Sequence, residues 1–322
     1  MEIKVPPGME ENAFFIVRYG ELGLKSGPVM RRFLNRLRSN MEKMFLDANI
    51  DCYLNFTRGR FYAYPGDLVK GADILMKTFG VVSISPGISL DTSQMDDIAA
   101  KAVEYSHWLL TKGNSFAVRT RRVGNHPYTS QDVNVRVGSE ILKNNTEKDL
   151  SVKLRSPDKI LYIEIRDNTA FFYHQKIQGP GGLPLGVSGT SVCAVGNKAS
   201  LLAAYLMMKR GNRLHFFYVP QIYRKPLPME KVLAYFGRFI LRPAMVEIVE
   251  ASPKDIFGIL DSECSLKGAR AMVLGFDMDR FTEIIEEYGV KSTEHPVFYP
   301  VIGLSKDMIS EMFRDTVHGE NL

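Results

Sequence analysis

The stretch "CAVGNKASLLAAYLMMKRG", residues 193–211, decides how this chain is read. It opens as a short apolar run and breaks at Gly196, Asn197 and Lys198. It resumes with Leu202, Tyr205, Leu206 and Lys209 at three- and four-residue spacing, which predicts a helix over 199–209. A strand, a tight loop and a helix N-terminus form the geometry that cradles phosphate. Free N–H groups and the helix dipole converge on whatever sits in the loop. Whether the loop can still hold a nucleotide depends on its side chains.

Working outward, apolar runs alternate with helical patterns downstream: "LHFFYVP", "AMVEIVEA", "RAMVLGF" and "VFYPVIG", each followed by a helix. This predicts an α/β domain with a parallel sheet over 183–322. The Gly/Pro-rich connector "QGPGGLPLGVSGTS" (178–191) marks its border. Upstream, "AFFIVRYGE" reads as a strand and 26–48 as a helix with Pro28 in its first turn. A hairpin turns at Arg58 and Gly59, and a second helix spans 67–80. Strand, helix, strand, strand, helix is most of a ferredoxin-like unit, assigned to 1–80.

The pattern restarts near residue 84 and runs to 182. A helix is followed by the strand "SFAVRTRR" (115–122), with Arg119 and Arg121 on one face. A helix over 130–145 carries Ser130 as its expected N-cap. A hairpin over 159–177 turns at Asp167 and Asn168.

Composition narrows the function classes. The net charge is +5, and its placement is uneven. Residues 1–182 hold 25 Lys+Arg against 20 Asp+Glu, whereas 183–322 hold 16 of each. A basic first half points to a polyanion partner. The three cysteines (Cys52, Cys193, Cys264) form no CxxC pair, and the six histidines lack metal-ligand spacing. A disulfide framework and a structural zinc site are therefore not expected, nor is a membrane span or a signal peptide. The chain reads as a cytoplasmic protein.

The motifs "VRYGELGLKSGPVMRRFLNRL", "SFAVRTRR…HPYTSQDVNVRVGSEIL", "GGLPLGVSG" and "AAYLMMKRG" resemble tRNA 4-thiouridine synthetases, in that family's order. The resemblance covers nearly the whole chain. It implies a ferredoxin-like domain (1–80), a THUMP domain (81–182) and a PP-loop ATP pyrophosphatase-like, Rossmann-like domain (183–322). It also implies tRNA binding through the first two domains and a homodimer. In the family the last domain adenylates a uridine, and a cysteine persulfide delivers sulfur.

The loop departs from that family's pattern, Ser-Gly-Gly-x-Asp-Ser. The matching positions are Val195, Gly196, Asn197, Lys198, Ala199 and Ser200, of which Gly196 and Ser200 keep the family residue. Val195 replaces a phosphate ligand. Asn197 replaces a glycine that lets backbone approach phosphate. Ala199 replaces the essential aspartate, and a methyl group neither orients a metal nor accepts a proton. Lys198 could meet a phosphate as a point charge, but the pattern is not a Walker loop.

The family's late catalytic cysteine also has no counterpart after "PVIGLSKDMISEMFRDT". Cys193 reads as buried packing and Cys264 as nearer the surface. The expectation is a tRNA-binding protein without its own pyrophosphatase or sulfurtransferase activity, with no cofactor and no metal. A separate sulfur-transfer or adenylating enzyme would then be a partner. The rival is an active ATP- and magnesium-dependent tRNA sulfurtransferase with an atypical nucleotide site at Gly196, Lys198 and Ser200.

The expected RNA contacts follow from the same resemblance. Arg121 and Arg122 match paired arginines of the THUMP motif, with Arg119, His126 and Tyr128 beside them. Arginine planes and aromatic rings can stack on unpaired bases or meet phosphate. Lys25, Arg32, Arg58 and Arg60 are further candidates for phosphate contact.

Overall fold

The computed structural model describes residues 3–9, 13–20, 26–57, 59–239, 246–289 and 292–316. The chain separates into two compact units.

The first unit comprises Met1–Arg18, Asp51–Asp73 and Ser83–Gln178. It is built on a nine-stranded sheet. The strands are β1 (Ala13–Tyr19), β2 (Cys52–Thr57), β3 (Arg60–Pro65), β4 (Val81–Leu90), β5 (Ser115–Val123), β6 (Ser151–Val152), β7 (Lys159–Arg166), β8 (Thr169–Tyr173) and β9 (Ile177–Gln178). Their order is β2-β3-β1-β4-β8-β7-β5-β6, with β9 paired to β4. The sequence pattern restarts near residue 84. In the structure β4 runs unbroken through that point and lies between β1 and β8. Strand β5 runs parallel to β7, whereas β7 and β8 form the antiparallel hairpin at Asp167, where φ is 51°.

The period of two in each strand gives the sheet two unlike faces. On one face Phe116, Val118, Leu161, Ile163, Ile165 and Phe172 pack with α3 (Met95–Leu109) and α4 (Ser130–Lys143). Thr129, not Ser130, caps α4. Its hydroxyl accepts from Asp132 N at 3.1 Å, and Asp132 returns a bond to Thr129 N at 2.7 Å. The capping box needs a carboxylate three residues past the cap, which Thr129 has and Ser130 lacks. On the other face lies an aromatic cluster of Phe14, Tyr62, Phe171 and Tyr173.

The second unit comprises Tyr19–Ile50, Ile74–Val82 and Gly179–Leu322. Its sheet is parallel, in the order β12-β11-β10-β13-β14. These strands are β10 (Thr190–Val195), β11 (Arg213–Tyr218), β12 (Val246–Ile248), β13 (Met272–Leu274) and β14 (Val297–Phe298). The helices after them are α5 (Lys198–Lys209), α6 (Met229–Phe236), α7 (Ile256–Lys267), α8 (Met278–Tyr288) and α9 (Lys306–Thr316).

Helix α1 (Gly27–Asp47) belongs to this unit, and α2 (Leu68–Lys77) is divided between the two. On α1, Asn40 Nδ2 donates to Leu185 O at 3.1 Å. Phe79 is buried among Tyr205 and Phe239, each ring 5.8 Å away. The connector holds to α5 at Gly182 (φ 71°), where a Cβ would stand 2.2 Å from Lys209 O. Only glycine fits that approach.

Candidate nucleic-acid interface and the loop after β10

Arg121 and Arg122 are adjacent in β5 and therefore point to opposite faces. Arg119 and Arg121 are exposed, on the face away from α3 and α4. Arg122 turns to the helix-covered side and is half-buried. Its Nη1 lies 3.2 Å from His126 Nδ1 and donates to His126 O at 3.4 Å. The guanidinium stands 5.9 Å from the centre of the Tyr128 ring.

His126 and Tyr128 stack on one another at 5.5 Å, and Tyr128 donates from its hydroxyl to Ser93 O. His126 Nε2 bonds to Asp167 O at 2.6 Å. With that carbonyl as acceptor, His126 carries its proton on Nε2, and Nδ1 is free to accept from Arg122. Arg122, His126 and Tyr128 thus form one braced corner at the end of β5. A face of each ring in this stack is already covered by the other.

Arg119 and Arg121 line a different feature, a pocket of about 280 Å³ on the opposite sheet face. Arg18, Arg60 and Lys176 complete its basic lining. Register places Arg121 beside Glu164 and Arg119 beside Tyr162. Glu164 is 2% exposed and accepts from Arg166 Nε at 2.7 Å. Sequence reading singled out Arg60, Arg119 and Arg121 but missed Arg18, Lys176 and Glu164. One signal was present: Tyr162, Glu164 and Arg166 alternate through an apolar strand, so one face of β7 is polar. Arg32 is exposed on α1, with its guanidinium 5.4 Å from the Phe33 ring. Lys25 and Arg58 lie outside the described residues.

The loop after β10 has the predicted strand–loop–helix form, with Val195 ending β10 in the core. Asn197 caps α5, and its Oδ1 accepts from Ser200 N at 2.9 Å. Ser200 is fully buried. Its hydroxyl accepts from Gly196 N and Asn197 N, both at 2.9 Å, and donates to Asn197 O at 2.8 Å. Three backbone donors that a phosphate would need are thus held by the loop's own side chains. Ala199 is buried and presents only a methyl group. The Lys198 ammonium stands 5.5 Å from the centre of the Phe313 ring. Gly275 backs the loop closely: a Cβ there would lie 2.2 Å from Ser200 Cα.

Beside this loop lies a cleft of about 700 Å³, lined in part by Asn197, Lys198, Arg224, Lys225, Arg280 and Lys306. It sits outside the carboxyl ends of β10 and β13, where strand order reverses, the usual crevice of an open parallel sheet. Most of its cations have partners. Arg224 pairs with Glu283, Arg280 lies 3.1 Å from Glu283, and Lys306 lies 2.5 Å from Asp279. Position 199 offers no carboxylate to orient a magnesium nucleotide, and the cleft's Asp277 is engaged as the cap of α8, its Oδ1 accepting from Arg280 N at 2.9 Å. No group of three or more potential metal ligands occurs among the described residues.

Neither buried cysteine is activated. Burial pushes the Cys193 thiol well above its ordinary value and Cys264 up to about 11. Cys264 is fully buried, not near the surface as the sequence suggested. It sits on the inner side of α7 with Ile256 and Leu260, and its thiol donates to Ala271 O at 3.3 Å. Among the described residues, no helix is long and apolar enough to cross a membrane.

Residues 14–85 match the ThiI ferredoxin-like domain and residues 92–175 the THUMP domain. A probable tRNA sulfurtransferase of Methanobrevibacter smithii is 34% identical, covering 93% of this chain and 85% of that protein. One from Saccharolobus islandicus is 30% identical, covering 92% and 84%. Among solved structures, PH1313 from Pyrococcus horikoshii superposes with a TM-score of 0.77 at 26% identity, covering 95% of this chain and 99% of that one. A 4-thiouridine synthetase in complex with RNA and bound ATP shares the fold, with a TM-score of 0.71 at 22% identity over 96% and 86% of the two chains. The chain belongs to the tRNA sulfurtransferase (4-thiouridine synthetase) family and carries that family's ferredoxin-like and THUMP domains.

Proposed function

We propose that this protein binds tRNA through residues 1–182 and does not itself carry out the ATP pyrophosphatase or sulfur-transfer steps. The RNA-binding half of the reading is supported by the THUMP match and by the RNA held in the related 4-thiouridine synthetase complex. The placement of the basic excess in residues 1–182 agrees with it.

The observation that carries the second half is the loop after β10. Ala199 stands where the family pattern has an aspartate, and Ser200 and Asn197 hold three backbone donors internally. Without a carboxylate, nothing at that position orients a metal on the phosphates. The last domain then serves assembly, as half of a homodimer or as a dock for a separate adenylating or sulfur-transfer enzyme. A monomeric mass by light scattering at micromolar concentration removes the homodimer.

The decisive experiment incubates the full chain with tRNA, magnesium and ATP and follows AMP and pyrophosphate. We expect tRNA binding without pyrophosphate release. The size and basic lining of the cleft beside Lys198 favour the second reading, an active sulfurtransferase with an atypical nucleotide site. Pyrophosphate release that depends on tRNA would establish that reading instead.

A further inference from the structure

We propose that the pocket bounded by Arg18, Arg60, Arg119, Arg121 and Lys176 is a preformed site for a single phosphoryl group. The proposal rests on the RNA-binding reading only for the source of that phosphate.

Five cations and one carboxylate, Glu164, line the pocket. Glu164 is already engaged, because Arg166 holds its Oε1. Arg60 Nε is 3.8 Å from the same oxygen, an ion pair beyond hydrogen-bond reach. Arg60 Nε and Arg18 Nη2 are both enclosed and have no hydrogen-bond acceptor among the described residues. Charged donors left in this state cost free energy, and one multidentate anion would satisfy several of them together.

Two of the cations, Arg18 and Lys176, are held in place before any ligand arrives. Tyr162 and Tyr173 stack at 5.0 Å with planes 9° apart. The Lys176 ammonium lies 4.1 Å from the centre of the Tyr162 ring, and the Arg18 guanidinium 4.9 Å from that of Tyr173. Arg18 Nη1 also donates to Ser85 Oγ at 2.8 Å. Burial, and then the charges of Arg18 and Arg119, lower the Lys176 pKa, as expected for cations gathered without enough counter-charge.

The volume of about 280 Å³ is at the bottom of the range for small-molecule sites. It suits a small oxyanion better than a whole nucleotide. A phosphoryl group offers the negative charge and the several acceptor oxygens that this lining lacks. Its source is either a phosphate of bound RNA or free inorganic phosphate.

The test uses the full chain, wild type against the double variant Arg119→Gln/Arg121→Gln. Both positions are exposed, so the variant should fold, and its melting curve checks this. Lys112→Gln, at an exposed position outside the pocket lining, is the control. In calorimetric titration with inorganic phosphate at constant ionic strength, wild type and control should show saturable one-site uptake. The double variant should bind roughly tenfold or more weakly. In tRNA titrations, the double variant should flatten the salt slope by roughly two units.

Loss of phosphate uptake with an unchanged tRNA slope leaves the site standing, with free phosphate as its source. A flattened slope without measurable uptake of free phosphate also supports it, with RNA as the source. If wild-type protein binds no tRNA but its phosphate uptake is lost in the variant, the RNA-binding reading fails and the site survives. If tRNA binds, the slope is unchanged and neither protein takes up phosphate, the site is overturned and the RNA-binding reading stands.

Discussion

Arg121 and Arg122 share a peptide bond but serve opposite faces of one sheet: Arg121 lines the basic pocket, whereas Arg122 is tied to His126. Their variants should therefore differ in kind. Arg121→Ala should flatten the salt dependence of tRNA binding by roughly one unit and leave the melting temperature unchanged. Arg122→Ala removes the brace of the β5 corner and should cost about 1–2 kcal/mol of stability. Salt-titrated tRNA binding and thermal melts of both variants provide the check. Identical profiles for the two would show that strand alternation does not separate their roles.

His174 gives the first unit an acid-sensitive point. Tyr105 stays protonated, because burial raises its pKa, and its hydroxyl lies 2.9 Å from His174 Nδ1. It therefore donates to the neutral imidazole. Burial, and then Lys159 and Lys4, lower the His174 pKa from 6.5 to about 4. Between these values the unfolded chain binds the extra proton, so stability falls as pH falls. About 2 kcal/mol should be lost between pH 7 and pH 4.5 through this group. His174→Gln should flatten that part of the stability–pH curve in denaturant titrations. An unchanged curve in the variant would assign the acid sensitivity to other groups.

Much of this architecture was legible because its signals are local. The parallel domain announced itself through alternating apolar runs and helical spacing, and the loop at Gly196 through its break in pattern. The hairpin at Asp167 needed only its turn residues. What stayed hidden depends on long-range partners. The pattern restarts inside strand β4 because nothing in "VVSISPGISL" says that β1 and β8 flank it. Cys264 reads as nearer the surface, yet helix period turns it inward. The basic pocket gathers side chains from β1, β3, β5, β7 and β8 with Lys176, and no window of sequence contains them together.

Ser200 carries the loop's internal bonding. Ser200→Ala would leave the buried Gly196 N and the half-buried Asn197 N without their acceptor. A loss of about 2–3 kcal/mol is expected, the cost of stranded buried donors. For the same reason ATP should raise the wild-type melting temperature little, since stabilisation follows the ratio of ligand to dissociation constant. Differential scanning fluorimetry with and without magnesium ATP measures both effects. A shift of several degrees at millimolar ATP would show that the loop opens to a phosphate.

The composition of the second unit makes a last prediction about where the chain can be cut. Residues 183–322 carry the whole parallel sheet, yet their unit also includes α1 and Phe79. Phe79 is 1% exposed and packs against Tyr205 and Phe239. In the intact chain, Phe79→Ala should cost about 3–5 kcal/mol, the usual range for emptying a buried phenylalanine site. A fragment of residues 183–322 loses that ring together with the bond from Asn40 to Leu185 O. It exposes apolar surface on α5 that Phe79 covers. Such a fragment should melt at a lower temperature and less cooperatively than the whole protein, and should gain when residues 19–82 are supplied on the same chain. Comparison of near-ultraviolet circular dichroism melts for the fragment, the full chain and the Phe79→Ala variant decides the point. A fragment that melts as sharply and as high as the full chain would show that α1 and Phe79 contribute nothing essential to the parallel-sheet core.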